Sequence, residues 1–269
     1  MTGLPSLTVT DGPTRIAHVR LNRPDKLNSL TLEILDELVS ITRRIRDDRT
    51  IRAVVVSGEG RSFSAGLDFA SAMKRPSSMV ASFLPRPWRG TNQFQEACWG
   101  FRRLPVPVVA AVHGHCFGGG LQLAMAADWR ITTADAQWSI LESKWGLVPD
   151  MSGMRTLPQQ VRADVLKKLT MTGEVFDGRA AVGYGLASEV SDTPVEDAEA
   201  LATVIATRSP DAVAYAKKLV DETWTTGPWT TFRRERMRQL RLLAGKNTAV
   251  ARKAAAKKVA PVFGRRSVG

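Results

Sequence analysis

Two rhythms of apolar residues alternate along the first two thirds of this chain. Short runs at Leu7–Thr10, Ile16–Leu21, Ile51–Ser57, Val106–Val112 and Ile131–Thr133 are apolar throughout or alternate, as strands do. Asp11-Gly12-Pro13 and Ser57-Gly58-Glu59-Gly60 supply turns beside them. Between the strands, Leu32–Asp47 places Leu35, Leu38, Val39, Ile41, Thr42 and Ile45 at helical spacing behind an N-cap at Thr31, and Gln93–Leu104 reads as a second helix halted by Pro105. Fully apolar strands separated by helices predict a parallel sheet covered on both faces, hence an α/β class. From Val195 onward only helical patterns remain, at Val195–Arg208, Asp211–Thr223, Trp229–Ala244 and Thr248–Val259. The expected organisation is a core over residues 1–194 and a helical C-terminal region over 195–269. One segment fits neither rhythm. Met73–Asn92 holds Pro76, Pro85 and Pro87 among Met79, Phe83 and Trp88, and is expected to be a loop whose apolar side chains cover a pocket mouth.

The most informative stretch runs from His113 to Asp128. It leaves an apolar strand, passes through Gly118-Gly119-Gly120 and continues as helix formers. Glycines let bare N–H groups approach a ligand closely, and a helix start adds unpaired donors. Such donors suit a carbonyl oxygen about to become an oxyanion.

Composition narrows the choice of class. The chain has 269 residues, 43% hydrophobic and 24% charged, ordinary for a globular protein with one sizeable core. No apolar run reaches the roughly 20 residues of a membrane span, and Met1–Thr10 lacks the pattern of a secretory leader. Cys98 and Cys116 show neither zinc nor disulfide spacing, so a reduced, cytoplasmic setting without membrane contact is expected. The net charge of +12 is concentrated late, from Arg233 to Arg266. A basic face attracts polyanions, but without interleaved aromatics or a motif of known spacing it points to no specific nucleic acid.

Five ordered segments carry a resemblance. They are Leu21-Asn22-Arg23-Pro24-Asp25-Lys26-Leu27-Asn28, Ser62-Phe63-Ser64-Ala65-Gly66-Leu67-Asp68, the triple-glycine segment, Glu142-Ser143-Lys144-Trp145-Gly146-Leu147-Val148-Pro149-Asp150, and Leu169-Thr170-Met171-Thr172-Gly173. Together they resemble the crotonase superfamily, the enoyl-CoA hydratase/isomerase family, over nearly the whole chain. The resemblance implies a crotonase-like spiral of β-β-α units with a helical C-terminal trimerisation region, and a homotrimer or dimer of trimers. It implies an enzyme acting on an acyl-CoA thioester, with coenzyme A present as part of the substrate and no other cofactor or metal. By position, the backbone N–H groups of Leu67 and Gly119 would bind the thioester oxygen. Lys26, Leu27, Arg61, Ala65 and, in the basic tail, Lys258 would contact CoA. Ala70 and Ala255 depart from residues common in the family and weaken the expected tail contacts.

Reaction type turns on the acids. Hydratases of the family carry glutamates at the positions of Gln122 and Glu142; here the first is an amide. Gln122 can orient water or substrate but takes no proton at neutral pH. Its bland alternative is an ordinary early-helix residue. Asp150 stands where the dienoyl-CoA isomerase branch has a second acid, but that branch also carries a carboxylate at the Gln122 position, so the match is incomplete; Asp150 also fits a helix N-cap. The residues therefore lean towards double-bond isomerisation, or weak hydration, with Glu142 as acid/base. The alternatives are a dienoyl-CoA isomerase using Glu142 and Asp150, and a non-catalytic acyl-CoA or RNA binder. Cys116, His113 and His115 are expected to be structural, and Asp68 to fix its loop.

Overall fold

In the computed structural model, residues 3–74, 76–86 and 90–268 are described. Eight strands are present among them: β1 (Ser6–Val9), β2 (Ile16–Leu21), β3 (Ala53–Gly58), β4 (Val108–Val112), β5 (His115–Phe117), β6 (Trp129–Thr132), β7 (Gln137–Ser139) and β8 (Glu189–Val190). The main sheet has the order β1-β2-β3-β4-β6-β8. Its first pair is antiparallel and the rest are parallel.

The spiral arises because each turn feeds two ladders. After leaving the main sheet, each turn adds a short extended piece to a second stack. Leu30 bridges Leu67, Ser64 bridges Cys116, β5 pairs with β7, and Trp138 bridges Phe176. The chain then enters a helix before the next main-sheet strand. This is the α/β crotonase fold.

Side-chain alternation gives the sheet two apolar faces. Val54, Val56, Val108, Ala110 and Val112 point into the larger core, where α1 (Leu32–Asp47) buries Leu35, Leu38 and Ile41. The Thr31 hydroxyl caps α1 by accepting from Ile34 N, as its position predicts. The α4 helix (Gln93–Arg102) packs on α1 through Gly100, where a Cβ would lie 2.8 Å from Thr42 Oγ1. Ala53, Val55, Val109 and Ala111 face the other way and are covered by Ala198 and Ala202 of α9 (Pro194–Ala206).

The remaining helices are α2 (Phe69–Met73), α3 (Pro76–Phe83), α5 (Gly119–Ala124), α6 (Gly153–Thr156), α7 (Ala163–Thr172), α8 (Gly178–Tyr184), α10 (Pro210–Thr223), α11 (Pro228–Leu243) and α12 (Lys246–Lys257). Two expectations change. Met73–Asn92 is not a continuous loop: α3 occupies its centre, because Pro76 sits at a helix start, where its missing N–H costs nothing. Pro87 and Trp88 lie outside the described residues. Asp150 is not an N-cap, since α6 begins three residues later behind Ser152. The tail beyond α12 returns to its own chain, with Arg266 donating to the carbonyls of Arg46 and Ile51. No helix is long and apolar enough to cross a membrane among the described residues.

Candidate active site

The N-terminal motif and the Ser62–Asp68 turn are fastened by buried Asn28. Its Oδ1 accepts from Arg23 N at 2.8 Å, and its Nδ2 donates to the carbonyls of Glu59 and Ser62 at 2.9 and 2.7 Å. Ser64 extends the link by donating to Asn28 O and accepting from Gly66 N. The turn also runs beside β5, with Ser64 N donating to His115 O and Phe117 N to Ser64 O. These bonds bring Gly66-Leu67 against Gly118-Gly119. The approach is close: a Cβ at Gly66, where φ is +89°, would lie 2.7 Å from Phe117 O and 3.4 Å from Gly119 N. Leu67 N and Gly119 N find no acceptor among the described residues. Two donors on adjoining segments are thus left for an oxygen from outside.

They open on a cavity of about 1030 Å³. Of the residues expected at the site, Leu67, Gly119, Glu142, Asp150, Lys26 and Ala65 line it. Leu27 lies behind the wall, its carbonyl taking the Ala65 N–H at 2.8 Å. Arg61 and Lys258 are exposed and do not line it.

The acids are arranged unequally. Glu142 begins a single 3-10 turn and is buried, with Oε1 accepting from Gln122 Nε2 at 2.6 Å while Oε2 has no partner among the described residues. Burial raises its pKa; the hydrogen bonds from its own backbone and from Gln122 oppose this, and the nearby Asp150 carboxylate adds to it. Asp150 is also held above the usual carboxylate range by burial. Gln122 departs from the expectation of an amide that holds water or substrate. It does not line the cavity, and its Oε1 accepts from Met151 N and Gly153 N at 2.8 and 2.9 Å. Two backbone N–H groups can point only at an oxygen, so the amide orientation is set and Nε2 must face Glu142.

Neighbouring candidates are structural, as expected. Asp68 pairs with Arg23 at 2.7 Å and accepts from Ser71 N; burial would raise its pKa, but these bonds outweigh it and lower it. His115 Nδ1 meets Ser62 Oγ, and His113 Nε2 meets Gly60 O. Cys98 and Cys116 are buried, and burial raises both thiols. No three His, Cys, Asp or Glu side chains gather as a metal-binding group among the described residues.

Some lining residues were not singled out by sequence reasoning. Arg23 and Lys74 add cations beside Lys26, and Phe69 stacks on Trp145 with centroids 5.6 Å apart. Arg23 and Trp145 belong to the family-like segments, but nothing in their spacing shows that they face a cavity.

Comparison with known proteins agrees with this geometry. Residues 11–264 match the family model described as enoyl-CoA hydratase/isomerase, and the chain belongs to that family. It is 35% identical over 220 residues to the mitochondrial Delta(3,5)-Delta(2,4)-dienoyl-CoA isomerase of Mus musculus, covering 79% of this chain and 67% of that one. It is 31% identical over 206 residues to (E)-benzylidenesuccinyl-CoA hydratase of Thauera aromatica, covering 76% and 77%. Among solved structures, the enoyl-CoA hydratase of Bacillus anthracis superposes with a TM-score of 0.85 at 26% identity, covering 96% of this chain and 98% of that one. The protein is therefore an enzyme of this family.

Proposed function

We propose that this enzyme moves a carbon–carbon double bond within an unsaturated fatty acyl-CoA, without adding water. The observation that carries this reading is the pair of acids in the cavity. Glu142 and Asp150 both line it, whereas position 122 offers no carboxylate and its amide is spent on the protein. Similarity to dienoyl-CoA isomerases supports the reading.

In the mechanism, the thioester oxygen accepts from Leu67 N and Gly119 N. Ionised Glu142 removes a proton from the carbon chain. The electron pair moves through the conjugated system to the thioester oxygen, giving an enolate held by both donors. Each such donor is worth about 3 kcal/mol at the transition state. Collapse of the enolate returns the electrons to carbon, and a proton from Glu142 or Asp150 completes the shift at a different carbon. Raised pKa values suit groups that must both take and return protons near neutrality. Arg23, Lys26 and Lys74 offer cations at the cavity for the phosphates of the CoA moiety. The reaction draws on no cofactor beyond the coenzyme A of the substrate.

In this reading residues 1–194 carry the acyl-CoA site and residues 195–269 make subunit contacts in a homotrimer or a dimer of trimers, in the cytoplasm. The α11 helix buries no residue and leaves Trp229 and Leu240 73% and 66% exposed, an apolar face suited to another copy.

The test is to incubate the protein separately with 2-enoyl-, 3-enoyl- and 3,5-dienoyl-CoA, following mass and ultraviolet absorbance. A spectral change at constant mass is expected. Gain of one water by the product overturns the reading. Sedimentation of the purified protein checks the assembly.

A further inference from the structure

Gln122 stands at the junction of three parts of the site. It lies on α5, directly after the glycines that present Gly119 N. Its oxygen receives the N–H groups of Met151 and Gly153, on the turn that follows Asp150, and its nitrogen donates to Glu142. The fit is close: a Cβ at Gly153 would lie 2.7 Å from Gln122 Oε1 and 2.9 Å from its Cγ. Gly118 also lacks a side chain where a Cβ would sit 3.5 Å from Glu142 Oε1. Oε1 is thus held by Gln122, whereas Oε2 is buried and has no partner among the described residues.

We propose that Gln122 is a positioning residue: its amide reserves Oε1 of Glu142 as a fixed anchor, leaves Oε2 as the oxygen of Glu142 that carries the proton, and ties that carboxylate to the turn bearing Asp150. This rests on the reading of Glu142 as the proton carrier. A carboxylate at position 122 cannot reproduce the arrangement. It could still accept from Met151 and Gly153, but its second oxygen would meet Glu142 Oε1 at hydrogen-bond distance. One of the two acids would then have to hold a proton between them. Such a pair titrates jointly, and Glu142 would no longer act as a base with one oxygen held and one free. The amide therefore keeps Glu142 from sharing its proton with position 122. The titratable groups facing Glu142 are Asp150 and the Cys98 thiol, which burial keeps protonated.

The test compares wild type with Gln122→Met, Gln122→Glu and Glu142→Gln, using protein labelled with 13C at glutamate carboxyl carbons. The Glu142 resonance is the one lost in Glu142→Gln, and its titration needs no knowledge of the substrate. Gln122→Met removes the donor and should move the Glu142 midpoint to higher pH. It should also lower kcat by about tenfold, the worth of one hydrogen bond to a charged group, with KM changed by less than about twofold. Gln122→Glu keeps the acceptor for both backbone N–H groups, so it tests the idea even if the methionine variant fails to fold. Its carboxyl should titrate jointly with Glu142, and its activity should be recovered at low pH and fall as pH rises through the shared titration. An unmoved Glu142 resonance in Gln122→Glu overturns the proposal. Full activity in Glu142→Gln would instead overturn the assignment of the proton carrier, whatever Gln122 does.

Discussion

Two buried polar clusters in this molecule look alike by burial and differ in satisfaction. At the tail, Asp211 Oδ1 accepts from Ser267 N, Ser267 Oγ and Val268 N, and Oδ2 accepts from Asn247 Nδ2. Arg266 donates to the carbonyls of Val268, Ile51 and Arg46, and at this cluster only Arg52 Nη1 is left over among the described residues. At the cavity, Glu142 Oε2, Leu67 N and Gly119 N are all without partners among the described residues. A saturated cluster has nothing left to offer and acts as a staple. An unsaturated one bears the cost of desolvated groups in the free protein and recovers it when a ligand or transition state arrives. Between these two clusters, satisfaction of hydrogen bonds and not burial makes the difference.

The strongest challenge to this contrast is removal of the aimed acid. Glu142→Gln keeps the shape and the bond from Gln122 but carries no proton. It should lower kcat by about a thousandfold, within the range for general acid–base groups, measured as turnover of whichever unsaturated acyl-CoA the wild type converts. The glycine at the donors comes next. At Gly66 an alanine would meet Phe117 O at 2.7 Å in a positive-φ conformation. Displacing the Leu67 and Gly119 donors should cost about a hundredfold in kcat. If Gly66→Ala keeps wild-type kcat, the two-donor geometry is wrong.

The staple should answer in the opposite way. Arg266→Ala removes the donor to three carbonyls, two of them in buried bonds, and should reduce unfolding free energy by about 3 kcal/mol in denaturant titrations. Its kcat per folded molecule should not change, because the cluster lies on the 46–52 segment and α10, away from the cavity lining. A large loss of kcat without loss of stability would erase the distinction.

Much of this was readable in residue patterns, and the exceptions have a common cause. Leu32–Asp47 matches its predicted span because the 3.6-residue period and the Thr31 cap are local signals. The run of glycines marked a close backbone approach, but the choice of position 119 came from the resemblance. The role of Gln122 was not, since its partners lie 20, 29 and 31 residues away and meet it only after the 3-10 turn and α6 have folded. Nor was α3, where prolines read as breakers although one of them starts the helix. Arg61 and Lys258 were expected at CoA by the resemblance, and they do not line the cavity. Local signals give elements; long-range closure decides which polar atoms remain free.

The smallest expected effect is on stability, and its sign separates the acids of the site. Burial raises Glu142 in the folded chain, so the fold prefers it protonated. That preference is fully present below the unfolded carboxylate range and is lost as pH rises through the folded pKa. Each unit of elevation corresponds to about 1.4 kcal/mol. Glu142→Gln should therefore match wild type in acid and exceed it in melting temperature near pH 7. A shift of about 2–4 °C is expected for each kcal/mol gained in a domain of this size. Asp150→Asn should behave likewise. Asp68→Asn should do the reverse, because bonds from Arg23 and Ser71 lower the Asp68 pKa against burial. Its contribution exists above the unfolded range and disappears as pH falls through the folded pKa, so the variant should lose stability at pH 7 and match wild type in acid. Melting curves across that range that show the same sign for Asp68→Asn and Glu142→Gln would mean that satisfaction does not divide the cavity acids from the groups that hold them.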